Sequence, residues 1–169
     1  QQAEKARLTI EFVQDDMRTY RKENTYDLAL SLYTSFGYFE NPEDDCKVIE
    51  NLHASLRPGG ALVMDMMGKE IIARVFRARD WYEEDDCIVL QERSLGKNWA
   101  WMDNRWIILR GKDRTDLEFS HRLYSATEIS MLLERCGFGE VCIYGGYDGS
   151  AYDNKATRLV AVAKKSASA

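Results

Sequence analysis

The stretch from Tyr26 to Asp65 constrains this chain most, because few folds accommodate its pattern. Leu28 to Leu32 is a short apolar run broken by one Ser, which predicts a strand buried on both faces. Asn41-Pro42 followed by Glu43, Asp44 and Asp45 reads as a helix start: a cap, a proline in the first turn, and acids facing the positive end of the helix dipole. Cys46, Ile49, Leu52, His53 and Leu56 recur at helical spacing, so one face of that helix is apolar. Pro58-Gly59-Gly60 is expected to end the helix, and Ala61 to Met66 to form a second buried strand. A strand, a crossover helix and a second strand make a parallel unit. Such units bind ligands at the carboxyl ends of the strands, here Tyr33 to Phe39 and Asp65 to Gly68.

Composition narrows the function classes. The chain has 169 residues, enough for one domain, and is 45% apolar and 30% charged, which argues against disorder. A net charge of −5 argues against nucleic acid as the main partner. No apolar run approaches the roughly 18 residues of a membrane span, so no membrane partner is expected and a cytoplasmic setting is. Cys46, Cys87, Cys136 and Cys142 fall singly and read as reduced core thiols; no metal is expected.

Tyr-Asp-Leu-Ala-Leu-Ser from Tyr26, Ser-Phe-Gly-Tyr-Phe from Ser35 and Leu-Arg-Pro-Gly-Gly-Ala-Leu-Val-Met-Asp ending at Asp65 together resemble class I S-adenosylmethionine-dependent methyltransferases. The matching part is the region of that family's fourth and fifth strands. Ser-Phe-Gly-Tyr-Phe is similar to a small-molecule subgroup that includes sugar N-methyltransferases. The resemblance implies a Rossmann-like α/β sheet, S-adenosylmethionine as cofactor, and a small-molecule amine or hydroxyl as methyl acceptor.

In chain order, Ala3 to Leu8 reads as the tail of a helix and Thr9 to Gln14 alternates like a strand. At its end the resemblance implies that Asp16 accepts a hydrogen bond from the adenine amine and that Met17 covers the ring. An ordinary strand-end turn with solvated acids is the alternative. Tyr33 and Thr34 fall where family members line the methyl-donor pocket, and Phe36 and Tyr38 in the wall between donor and acceptor; either aromatic could equally be a hydrophobic plug. Gly68 to Phe76 is expected to be a short helix with Ile71, Ile72, Val75 and Phe76 inward.

From about residue 79 to 124 the pattern changes to Cys87–Leu95, Trp99–Arg110 and Asp116–Tyr124, separated by Gly-containing turns. Connections this short require antiparallel strands, and the resemblance makes this an inserted sheet roofing the acceptor site. Alternation sets Gln91 and Arg93 on one face and Leu90 and Glu92 on the other. Arg93, Arg105 and Arg122 are candidates to hold a carboxylate or phosphate on the acceptor, although cross-strand pairing with Glu92 or Asp116 explains arginines equally well. His121 is the candidate catalytic base and, as a strand residue, could instead be ordinary surface; His53, on the inner side of a helix, reads as structural. Aromatic and basic residues on a sheet can also mean single-stranded RNA, which the acidic total opposes.

Ser125-Ala-Thr-Glu128 is a capping box, and Ile129, Leu132, Leu133 and Cys136 give the following helix its inner stripe. Gly137 stops it, and Phe138–Tyr144 with Thr157–Ala163 are expected to close the sheet as an antiparallel pair.

The resemblance also implies a first strand, a Gly-rich turn, a helix and a second strand ahead of Ala3, whereas the earliest glycine is Gly37. The expectation is therefore that residues 1–169 are the C-terminal two-thirds of a methyltransferase domain, lacking strands 1 and 2. A missing N-terminal segment or self-association would then complete the sheet. Methyl transfer to a small molecule is the first functional expectation. A non-catalytic methyltransferase-like remnant used for self-association or subunit binding is the alternative. A nicotinamide dehydrogenase is weak, since its phosphate-binding fingerprint is absent.

Overall fold

The computed structural model describes residues 2–167, so residues 1, 168 and 169 of the expected domain lie outside it. After a short helix α1 (Gln2–Lys5) and a long irregular stretch come β1 (Tyr26–Ser31), α2 (Pro42–Ser55), β2 (Leu56–Met66) and α3 (Lys69–Val75). An antiparallel meander follows, made of β3 (Arg79–Glu84), β4 (Cys87–Gly96), β5 (Trp101–Arg110) and β6 (Asp113–Arg122). Helix α4 (Ala126–Arg135), β7 (Glu140–Tyr144) and β8 (Leu159–Lys164) close the chain.

The strand–helix–strand unit forms as its pattern dictates. Asn41 accepts a hydrogen bond from Glu43 N at 3.1 Å, and Pro42 opens α2. Strands β1 and β2 run parallel, with Leu28 opposite Ala61 and Ser31 opposite Met64. Strand β8 pairs antiparallel with β2 and then with β7, giving the order β1-β2-β8-β7. The Ser125 capping box of α4 is complete in both directions. Helices α2 and α4 contribute Val48, Ile49, Ile129 and Leu133 to one core with Leu62 and Met64 of β2 and Leu159 and Ala161 of β8. The thiols of Cys46 and Cys136 meet inside it, 3.1 Å apart, and His53 packs edge-on against Phe138.

Four expectations are corrected. Thr9–Gln14 forms no strand, because a strand needs a neighbour to take its backbone hydrogen bonds and none lies beside it among the described residues. Strand β1 is half-buried on one face only: Leu28 and Leu30 are 52% and 57% exposed, while Tyr26 and Ala29 pack against the core on the other side. Helix α2 ends at Ser55, ahead of Pro58-Gly59-Gly60, which lies within β2 where the register with β1 shifts. A Cβ on Gly60 would sit 2.9 Å from Arg57 O and 3.1 Å from Asp27 O, so the close approach of the strands there depends on glycine. Val75 of α3 faces outward, 49% exposed.

The antiparallel sheet is fastened to the parallel unit at the loop after β1. Arg122 N donates to Gly37 O at 2.7 Å, and a Cβ on Gly37, at φ +96°, would lie 2.9 Å from Arg122 O. Asp45, fully buried on α2, accepts from Arg122 Nε at 3.1 Å and from the Tyr124 hydroxyl at 2.7 Å.

Candidate active site

The chain leaves the carboxyl end of β1 through two consecutive residues in the left-handed region, Tyr33 (φ 56°) and Thr34 (φ 58°). Non-glycine residues adopt this region at a cost and hold it only where neighbours enforce it. Here Asp65, at the tip of β2, enforces it: Tyr33 N donates to Asp65 Oδ2 and Thr34 N to Asp65 O, both at 3.0 Å. The Asp65 carboxylate, 1% exposed, also receives Arg158 Nε and Nη2 at 2.5 and 2.7 Å. Burial pushes the Asp65 carboxyl up, but Arg158, the Tyr147 hydroxyl and the Tyr33 N–H together hold it below its ordinary value.

A cavity of about 800 Å³ opens between these strand tips and the antiparallel sheet, within the size range of small-molecule sites. Tyr33, Thr34 and Tyr38 form its first wall, and Met67, Ile72 and Arg74 its floor toward α3. The sheet supplies the opposite wall through one face of three strands. Strand register places Arg93, Asn104 and Phe119 in one row, and Met102 beside His121 in the next. Trp106 and Phe119 pack edge to face with centroids 5.3 Å apart.

His121 is 4% exposed, with the Tyr38 ring 5.6 Å and the Phe119 ring 6.4 Å away. Burial depresses its basicity, so the ring is neutral at pH 7. Asn104 Nδ2 lies 3.4 Å from His121 Nδ1 and 3.4 and 3.5 Å from the carbonyl oxygens of Met102 and Phe119. Two carbonyl neighbours fix that amide group as the donor.

Of the residues singled out in the sequence, Tyr33, Thr34, Tyr38, Arg93 and His121 share this cavity. The others have different surroundings. Phe36 is 4% exposed in the main core, its ring 5.6 Å from Tyr124. Arg105 spans Asp116 at 2.8 Å and Glu92 at 3.3 Å across the sheet. Arg122 is consumed by Asp45 and by the carbonyls of Phe39 and Glu40, beneath which Trp101 packs. Asp16 is held by Arg18 at 2.6 Å, which draws its pKa down to about 2. Met17 lies on the open flank of β1, beside Tyr20, Tyr26 and Leu28.

Several contributors went unmarked in the sequence: Asp65 as the brace of the Tyr33–Thr34 turn, Arg158 as its partner, and Arg74 and Asn104 in the cavity. Asp65 carried a signal, a carboxylate closing an apolar strand on the ligand side. Asn104 would have emerged from hairpin register once Arg93 was assigned to a face. Arg74 and Arg158 had none, because loop contacts place them.

No protein-family description matches the chain, and no curated protein matches it in sequence. Solved structures do match. An S-adenosylmethionine-dependent methyltransferase from Clostridium acetobutylicum superposes with a TM-score of 0.79 at 17% identity, over 98% of this chain and 68% of its own. The sugar N-methyltransferase KedS8 from Streptoalloteichus sp. gives 0.66 at 17% identity, over 98% and 66%. CalS10, an amino pentose methyltransferase from Micromonospora echinaspora solved with S-adenosylmethionine bound, gives 0.62 at 18%, over 90% and 63%. The chain thus spans about two thirds of the length of these proteins. Over that span, its two sheets and their connections have the fold of S-adenosylmethionine-dependent methyltransferases.

Proposed function

We propose that this chain takes part in methyl transfer from S-adenosylmethionine to a small-molecule amine or hydroxyl, supplying the acceptor wall and part of the donor pocket. The observation that carries this reading is the single cavity joining the tips of β1 and β2 to the antiparallel sheet. The Tyr33 ring, 83% exposed on its strained turn, offers an open aromatic face beside that cavity, which suits a nucleoside carrying an amino-acid tail. Bound there, S-adenosylmethionine supplies a methyl group already activated on sulfonium, so the protein's task is alignment and exclusion of water.

In this reading Tyr33 and Thr34 hold the donor, while Tyr38, Phe119 and Trp106 enclose the acceptor. His121 faces the acceptor as a neutral ring, the form in which an imidazole can take a proton. It remains the candidate base, since an acceptor amine has to be unprotonated to attack the methyl group. Asp16 and Met17 serve the adenine from the flank of β1, which requires Arg18 to release the Asp16 carboxylate. Phe36 supports the donor–acceptor wall from the core, Arg122 anchors the sheet that carries the acceptor site, and Arg105 stiffens it.

Among the described residues β1 is the end strand of its sheet, and in this reading further strands of a Rossmann-like sheet would pair along that edge. That edge also favours a second reading, a non-catalytic domain that self-associates through β1. Calorimetric titration with S-adenosylhomocysteine, run alongside sedimentation, separates the two. Saturable one-to-one binding is expected for the methyl-transfer reading. No heat of binding from a chain that dimerises would contradict it and favour self-association. Among the described residues no helix is long and apolar enough to cross a membrane.

A further inference from the structure

Away from the cavity, the main core brings together two thiols that methyl transfer does not use. Cys46 lies in the second turn of α2, and Cys136 caps the end of α4, 90 residues further along the chain. Both are free. Their sulfurs are 3.1 Å apart, and Cys136 Sγ also lies 3.8 Å from the Cys46 carbonyl oxygen. An approach to about 2 Å would join them. Cys87 has different neighbours, the Asp86 carboxylate and Arg110, and no other two thiols meet among the described residues.

The pair sits at the rim of the core. Cys46 and Cys136 keep 8% and 7% exposure, whereas Ile49 and Leu133 on the same two helices keep none. Exposed Glu50 and Arg135 flank the sulfurs. Glu50 Oε1 is 3.7 Å from Cys46 Sγ, and Arg135 faces the Cys46 sulfur, which raises the pKa of the guanidinium. A carboxylate to take the thiol proton and a cation to face the thiolate make a cysteine nucleophilic. Cys136 differs: burial, with Cys46 beside it, pushes its thiol up to about 12. Cys46, Glu50 and Cys136 are also close enough together to be read as metal ligands. Tetrahedral zinc, however, holds two thiolate sulfurs about 3.8 Å apart, and the Arg135 charge opposes a divalent cation. Oxidation suits the pair better.

We infer that Cys46 and Cys136 form an oxidisable dithiol, closed to a disulfide by a hydroperoxide, with Cys46 as the attacking sulfur and Cys136 as the resolving one. Cys46 gives its proton to Glu50, and its sulfur attacks the peroxide, breaking the O–O bond. Cys46 becomes a sulfenic acid, and the leaving alkoxide takes the proton from Glu50 and departs as an alcohol. The Cys136 sulfur then attacks the Cys46 sulfur; the S–O bond breaks, and the hydroxide leaves as water with the Cys136 proton. Two thiols and one hydroperoxide thus give one disulfide, one alcohol and one water, the sulfurs oxidised and the peroxide reduced. The link ties α2 to the end of α4 beside Asp45, the carboxylate that holds Arg122 and Tyr124.

The test exposes the folded chain to a small excess of cumene hydroperoxide with a chelator present, quenches with iodoacetamide, and maps trypsin and Glu-C peptides by mass. Two of the four thiols are expected to vanish together into one cross-linked peptide pair holding Cys46 and Cys136. Cys87 and Cys142 should be recovered alkylated, and dithiothreitol should restore the pair. Cys136→Ser should leave Cys46 as a sulfenic acid that dimedone traps. Cys46→Ser should slow loss of the Cys136 thiol about tenfold or more, since a thiol that keeps its proton is a poor nucleophile. Circular dichroism checks that each variant is folded, and the wild-type peptide map stands without either. Cys46 and Cys136 remaining alkylatable while Cys87 or Cys142 is oxidised would overturn the inference. So would a link that forms only in urea, stoichiometric zinc held by these thiols in the purified chain, or Cys136 loss at the same rate without Cys46.

Discussion

Asp65→Ala should destabilise the chain by about 3 kcal/mol and abolish binding of S-adenosylhomocysteine. The carboxylate is 1% exposed and carries a bidentate pair with Arg158 together with the Tyr33 N–H. Removing one member of a buried pair leaves the other charge desolvated and unpaired, typically a loss of about 3–5 kcal/mol. Arg158 retains some solvent contact, 26% of its side chain, which places the effect at the low end. The turn at Tyr33 and Thr34 then loses its brace, and two left-handed residues relax toward ordinary backbone. The acid dependence has a definite sign. Asp65 has a folded-state pKa below its ordinary 3.8, so its contribution is present above that value and is lost as pH falls through the folded pKa. Urea unfolding of wild type and variant should therefore show a gap at pH 7 that narrows below about pH 4. A gap under about 1 kcal/mol at pH 7 would mean that Asp65 is not the brace.

The second large effect is expected at Asp45. Its carboxylate, 0% exposed, holds Arg122 and the Tyr124 hydroxyl, while its Oδ1 has no partner among the described residues. Burial raises its pKa against the pull of Tyr124 and Arg122, the signature of a charge retained at a cost. Asp45→Ala should lose about 3–5 kcal/mol, because Arg122 is only 15% exposed and keeps its charge. The double variant Asp45→Ala with Arg122→Met should recover much of that loss, since a buried pair can be replaced by apolar packing more cheaply than it can be broken. Equal stability of the single and double variants would contradict this account of the junction. The junction matters for function because Arg122 and Gly37 dock β6, and with it His121, against the loop that carries Tyr38.

What was legible in the chain, and what was not, follows from the range of the forces involved. The Asn41-Pro42 cap, the Ser125–Glu128 box and the apolar stripe of α4 are local signals, written within a few residues, and the structure reproduces them. The parallel pairing of β1 with β2 was legible because a crossover helix of that length leaves little alternative. Thr9–Gln14 misled because alternation describes a strand's side chains and says nothing about whether a neighbour exists. Leu28 and Leu30 misled for the same reason: hydrophobicity signals that a face should be covered, while the covering comes from elsewhere. The arginines were the least legible. Arg93, Arg105 and Arg122 are alike in sequence, and only register and the position of carboxylates far along the chain separate an uncompensated guanidinium from two engaged ones.

The central claim is that the tips of β1 and β2 and the face of the antiparallel sheet bound one site for a methyl donor and its acceptor. Amide chemical-shift mapping of the labelled chain during titration with S-adenosylhomocysteine tests it most directly. The account predicts the largest perturbations at Tyr33, Thr34 and Asp65, with smaller ones reaching Tyr38 and His121. Perturbations confined to the far turns of the antiparallel sheet or to the β7–β8 end, with the β1 loop unmoved, would contradict it.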